Sequence, residues 1–105
     1  KNSFIELNLE YARSWAAVDR ALKEALIKVN DLDRDQGVFF VEFSKQEKEK
    51  GFIRSLFSSE SFKGNYQVIV REVSENSCMV TIVSDGEDSE LYERDLLSEI
   101  NQSLS

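Results

Sequence analysis

The chain contains no histidine and no proline, only one cysteine, and fewer basic than acidic residues, 13 against 20. Each shortage removes a class of protein. Without histidine, the commonest general base at neutral pH and the commonest metal ligand are both missing, and no Ser-His-Asp or Cys-His arrangement can be assembled within the chain. Without proline there is no proline-rich linker. Cys78 has no partner for an internal disulfide. It lies in the strand-like run Ser77 to Val83, where a small buried hydrophobe is its expected role. A formal net charge of -7 and a pI near 4.6 argue against a nucleic-acid partner, since phosphate binding needs a basic surface, and disfavour adhesion to anionic lipid. No apolar run is long enough to span a bilayer as a helix. The chain starts at Lys1 with neither a signal peptide nor a lipid-attachment cysteine near its start, so the expectation is a cytosolic protein or a domain excised from something exported.

What is present is architectural. The hydrophobic fraction of 41% suits one compact domain over residues 1–105 with a single core. Ile5, Leu7 and Leu9 alternate with Glu6, Asn8 and Glu10, which predicts a strand with its odd positions inward. Trp15, Val18, Leu22, Ala25, Leu26 and Val29 recur at helical spacing, with Arg13, Asp19, Arg20, Lys23, Glu24 and Lys28 on the other side. An amphipathic helix is expected from about Ala12 to Lys28. Asn30 to Gly37 has the composition of a turn, flanked at most by a very short strand. Val38 to Phe43 is an apolar strand with Phe39, Val41 and Phe43 on one face and Val38 and Phe40 on the other. Ser44 to Lys50 reads as charged and mobile, and Gly51 to Phe57 as a short apolar-sided helical turn. Tyr66 to Arg71 and Ser77 to Val83 pair as a hairpin through the turn at Ser74 to Asn76. Glu87 to Glu90 lead into a closing helix, about Glu90 to Ser103, with Leu96, Leu97, Ile100 and Leu104 on its apolar stripe and Tyr92 beside them. The order is β-α-β-β-β-β-α, an α+β class.

Chemistry is sparse. Asp31, Asp33 and Asp35 alternate, and Glu42 falls where a twelve-residue calcium loop would close. Gln36 occupies the place that needs glycine, and Val38 to Val41 is too apolar for the second half of such a loop, so a plain turn is expected. Asp85 to Glu90 likewise reads as turn and helix cap. No catalytic residue, metal site or cofactor is implied. Trp15, Leu22, Phe39, Tyr66 and Leu97 are candidate core anchors. Phe40, Phe52, Phe57 and Phe62, with Arg54, are candidate partner contacts, although for the three loop phenylalanines a lid folded back on the core is the favoured reading.

Three segments read together carry a family resemblance. Trp15-Ala16-Ala17-Val18 with Ala21-Leu22 is followed by Asp33-Arg34-Asp35-Gln36-Gly37 and an apolar strand, and then by Gly51-Phe52-Ile53-Arg54-Ser55-Leu56-Phe57 ahead of Tyr66-Gln67-Val68. This order resembles the C-terminal domain of BamC, the NlpB or lipoprotein-34 family of the β-barrel assembly machinery, from about Ser3 to Leu104. The resemblance implies a helix-grip fold, in which a curved antiparallel sheet packs on two helices. It further implies a non-catalytic accessory role in outer-membrane protein assembly. The partners would be other subunits of that machinery, and membrane association would come only through a lipid anchor that this chain lacks. Nothing catalytic carries over. A rival expectation is a small apolar ligand held in a cavity between sheet and helix, lined by Trp15, Phe39, Tyr66 and Leu97.

Overall fold

The computed structural model describes residues 4–45, 62–84 and 93–104. They form strands β1 (Ile5–Leu7), β2 (Lys28–Asp33), β3 (Val38–Lys45), β4 (Phe62–Ser74) and β5 (Ser77–Ser84), with helices α1 (Tyr11–Glu24) and α2 (Glu93–Leu104). The strands make one antiparallel sheet in the order β1-β5-β4-β3-β2. This is the α+β arrangement and element order that the sequence predicts.

The core follows from the two periodicities. Phe39, Val41 and Phe43 of β3, Tyr66, Val68 and Val70 of β4, and Cys78 and Val80 of β5 all face one side. From α1, Trp15, Val18, Ala21 and Leu22 meet them, and from α2, Leu96, Leu97 and Ile100. The Trp15 indole lies flat on Phe39, with ring centroids 4.0 Å apart and planes 16° from parallel. Phe43 meets Tyr66 edge-on at 6.2 Å. Two aromatic rings in contact leave no room for a ligand between them, which removes the support for a cavity at Trp15 and Phe39. Burial among the sheet and helix side chains also makes Cys78 an internal thiol.

The structure corrects the expected bounds at the end of α1. The helix stops at Glu24, four residues before the expected Lys28. Leu26 then takes a left-handed backbone, φ 60°. The Leu26 N–H donates to the Lys23 carbonyl at 3.1 Å and the Ile27 N–H to the Leu22 carbonyl at 2.9 Å, the paired bonds of a Schellman ending. Leu26 therefore points away from the core, 91% exposed, although its spacing places it on the apolar stripe. Val29 leaves the stripe as well and joins β2, which runs on to Asp33 where only a turn or a very short strand is expected. β1 is shorter than expected, ending at Leu7. β3 extends through Ser44 and Lys45, which the composition assigns to a mobile stretch. The predicted helical turn at Gly51 to Phe57, the start of the closing helix at Glu90 and Tyr92 lie outside the described residues.

The β2–β3 hairpin fixes which phenylalanine faces which way. The Asp33 Oδ1 accepts from the backbone N–H groups of Asp35 at 3.1 Å and Gln36 at 3.2 Å, so this carboxylate holds the turn. Gly37 closes it at φ +73°, and a Cβ there would stand 2.5 Å from the Val70 carbonyl oxygen. That close approach is used: the Val70 N–H donates to the Gly37 carbonyl at 2.8 Å, tying the hairpin to β4.

Candidate functional site

The sheet has a second face, turned away from α1 and α2, and its residues are given by the strand register. Directly paired residues of an antiparallel sheet project to the same side. Asp31, Phe40, Gln67 and Val83 thus line up across β2, β3, β4 and β5. Asp33, Val38, Ile69 and Thr81 form the next row. Arg71, Met79 and Glu6 form a third, across β4, β5 and β1. Phe4, just before Ile5, ends this face beside β5.

Val38 is buried on this face, but the other apolar members of these rows are incompletely covered. Phe40 is 37% exposed, Val83 44% and Phe4 53%, while Ile69 and Met79 are half-buried. By contrast Phe39, one residue from Phe40 and on the opposite side, is fully buried. Large apolar side chains grouped on a surface, as opposed to scattered singly, mark contact sites in soluble domains.

A second feature is an open cleft of about 330 Å³ lined by Tyr11, Asp35, Gln36, Gly37, Ile69, Val70, Arg71 and Glu72. The Tyr11 hydroxyl donates to the Arg34 carbonyl at 2.6 Å, and partial burial raises its pKa above the ordinary phenol value. A phenol held protonated and bonded to a carbonyl is a staple between α1 and the β2–β3 turn. Among the described residues no group of three or more Cys, Asp or Glu side chains converges to hold a metal ion. The carboxylates of the calcium-like spacing are dispersed: Asp31 accepts from the Leu32 N–H at 2.8 Å, Asp33 holds the turn, and Glu42 lies 3.8 Å from the Lys28 Nζ.

Of the residues singled out in sequence, Trp15, Leu22, Phe39, Tyr66 and Leu97 sit together in the core. Phe40 stands on the opposite face, away from them. Phe62 opens β4 across from Lys45. Phe52, Arg54 and Phe57 lie outside the described residues. Val83 and Phe4 were not singled out, although both carry a signal: each places an apolar side chain on the polar phase of its strand's alternation.

A five-stranded antiparallel sheet holding the two described helices on one face defines a helix-grip domain of the α+β class. The chain matches over residues 1–105 the family model of the outer membrane protein assembly factor BamC-like C-terminal domain, and it belongs to that family. Members of this family are outer-membrane-associated lipoproteins of the β-barrel assembly machinery, which places the domain at the outer membrane. A curated relative, the outer membrane protein assembly factor BamC of Accumulibacter regalis, is 28% identical over 92 residues, covering 78% of this chain and 24% of its own length. The chain thus spans about a quarter of that relative. Among solved structures, the adenylate sensor from AMP-activated protein kinase complexed with ATP aligns with a TM-score of 0.68 at 15% identity, over 95% of this chain and 93% of that one. The same sensor in complex with the ribofuranotide ZMP aligns with a TM-score of 0.68 at 16% identity and the same coverage. At such identities the likeness is one of fold.

Proposed function

We propose that this domain is a non-catalytic accessory module of the β-barrel assembly complex that acts by presenting contact surface to other subunits of that complex. Family membership supplies the setting. The observation that carries the mode of action is Phe40: it belongs to the most apolar strand of the chain, yet it lies 37% exposed on the sheet face turned away from both described helices. A side chain of that size left partly in water is a stability loss in the isolated domain and a gain once covered. Phe62 and, by the sequence reading, Phe52, Arg54 and Phe57 extend the set of proposed contacts.

The reading is tested in the full-length protein. Deleting residues 1–105 of this domain should reduce co-isolation of the other assembly subunits from outer-membrane extracts and lower the yield of folded β-barrel proteins. If both quantities stay at the level of the intact protein, the domain has no part in the complex and the reading fails.

A further inference from the structure

We propose that the sheet face turned away from both described helices docks an amphipathic helix of a partner protein, one whose apolar stripe is bordered on both sides by basic residues. This rests on the reading of the domain as a contact module and names the chemistry of its partner. The argument begins with the width of the apolar band. From β2 to β5 the row Asp31, Phe40, Gln67, Val83 crosses three strand spacings, about 14 Å. A helix with its side chains is about 10–12 Å across, so a single helix lying along the strands covers Phe40, Ile69 and Val83 together. The opposite face already shows that this sheet accepts helices: Trp15, Val18 and Leu22 of α1 fill it in the same manner.

Charge then selects the kind of helix. The band ends in carboxylates on both sides, Asp31 and Asp33 on β2 and Glu6 on β1. All three are exposed. Glu42, also on this face, faces Lys28 at 3.8 Å, so that cation is already committed. Among the described residues Arg71 is the other cation in these rows, at the corner beside Met79. Lysine or arginine side chains flanking a helical apolar stripe reach sideways over such a band and end at its acidic borders. A second copy of this chain meets acid with acid and a formal charge of -7 on each side, and an anionic lipid surface is repelled for the same reason.

The test uses two designed 18-residue helices with the same leucine stripe, one flanked by lysines and one by glutamates. Each is titrated into the isotope-labelled chain while amide shifts are followed. The lysine-flanked helix is expected to move Phe40, Gln67, Ile69, Thr81 and Val83 and to bind at least tenfold more tightly than its glutamate-flanked twin. Phe40→Ser with Val83→Ser should weaken it at least tenfold. Asp31→Lys with Glu6→Lys, which alters only exposed positions, should reverse the preference between the two helices. Equal binding of both helices, or shifts spread away from this face, overturns the proposal, as does concentration-dependent dimerisation or anionic-vesicle binding through Phe40. In the full-length protein, the charge-reversed variant should lose the assembly subunits that the unaltered protein retains. Retention by that variant, with loss on deleting the whole domain, would overturn this face as the docking site and leave the contact-module reading standing.

Discussion

Phe39 and Phe40 are neighbours in one strand with opposite surroundings, and the two faces of the sheet differ as they do. Phe39 is fully buried under the Trp15 indole; Phe40 is 37% exposed among Gln67, Asp31 and Val83. The first face is held by helices of the same chain. The second has the apolar groups a helix would cover and carboxylates at its borders. On the proposed reading stability resides mainly on the first face and partner contact on the second, so substitutions should separate the two.

The largest effect is expected at the stacked pair. Phe39→Ala or Trp15→Ala should cost about 3–5 kcal/mol, because each empties a packed site that cannot collapse. Phe40→Ala should cost about 1 kcal/mol or less, since most of what it loses is partial burial. Chemical denaturation of the three variants measures the gap, and equal losses at Phe39 and Phe40 would erase the distinction between the faces. Next in size is Gly37→Ala, at about 2 kcal/mol or more. The new Cβ meets backbone, the Val70 carbonyl, in a left-handed conformation, and backbone cannot swing aside as a side chain can. Denaturation midpoints compared with a neutral exposed-site control would show it.

Leu26→Gly should act in the other direction. Relief of the left-handed strain at an exposed residue that adds little to the core should stabilise the domain by about 1 kcal/mol, visible as a raised melting temperature. A lowered one would mean that Leu26 packs in solution. Tyr11→Phe is the smallest, about 0.5–1 kcal/mol for the lost bond to the Arg34 carbonyl. Its pH dependence has a definite sign. Burial raises the folded-state pKa of Tyr11, so the folded protein keeps the proton where the unfolded chain has released it. That contribution is complete below the ordinary phenol pKa and is lost as pH rises through the folded value. Alkaline titration of stability should therefore fall less steeply in Tyr11→Phe than in the parent chain.

Much of this was legible in the residues themselves. The alternation of Val38 to Phe43 separates Phe39 from Phe40 before any coordinates, and the spacing of Trp15, Val18 and Leu22 gives the inner face of α1. The end of α1 was not legible, because a helix stop is normally read from a glycine after the last turn and here Leu26 holds the left-handed position with an apolar side chain at helical spacing. β2 was hidden for a different reason. Its Asn-Asp-Leu-Asp composition signals a turn, and a register shift between Val29 and Asp31 breaks its alternation, so only pairing with β3 makes it a strand. The outer-face group escaped notice as well: Val83 and Phe4 are each a single apolar residue on a polar phase, and sequence places them beside Phe40 only once the strand order is known.

Side-chain footprinting of the full-length protein, free and within the assembled outer-membrane complex, tests the central claim most directly. The account predicts that Phe40, Val83 and Phe4 lose labelling on assembly, while Leu26 and Leu32, which are 91% and 46% exposed and lie off this face, keep theirs. Unchanged labelling at Phe40 and Val83 in the intact complex would contradict it.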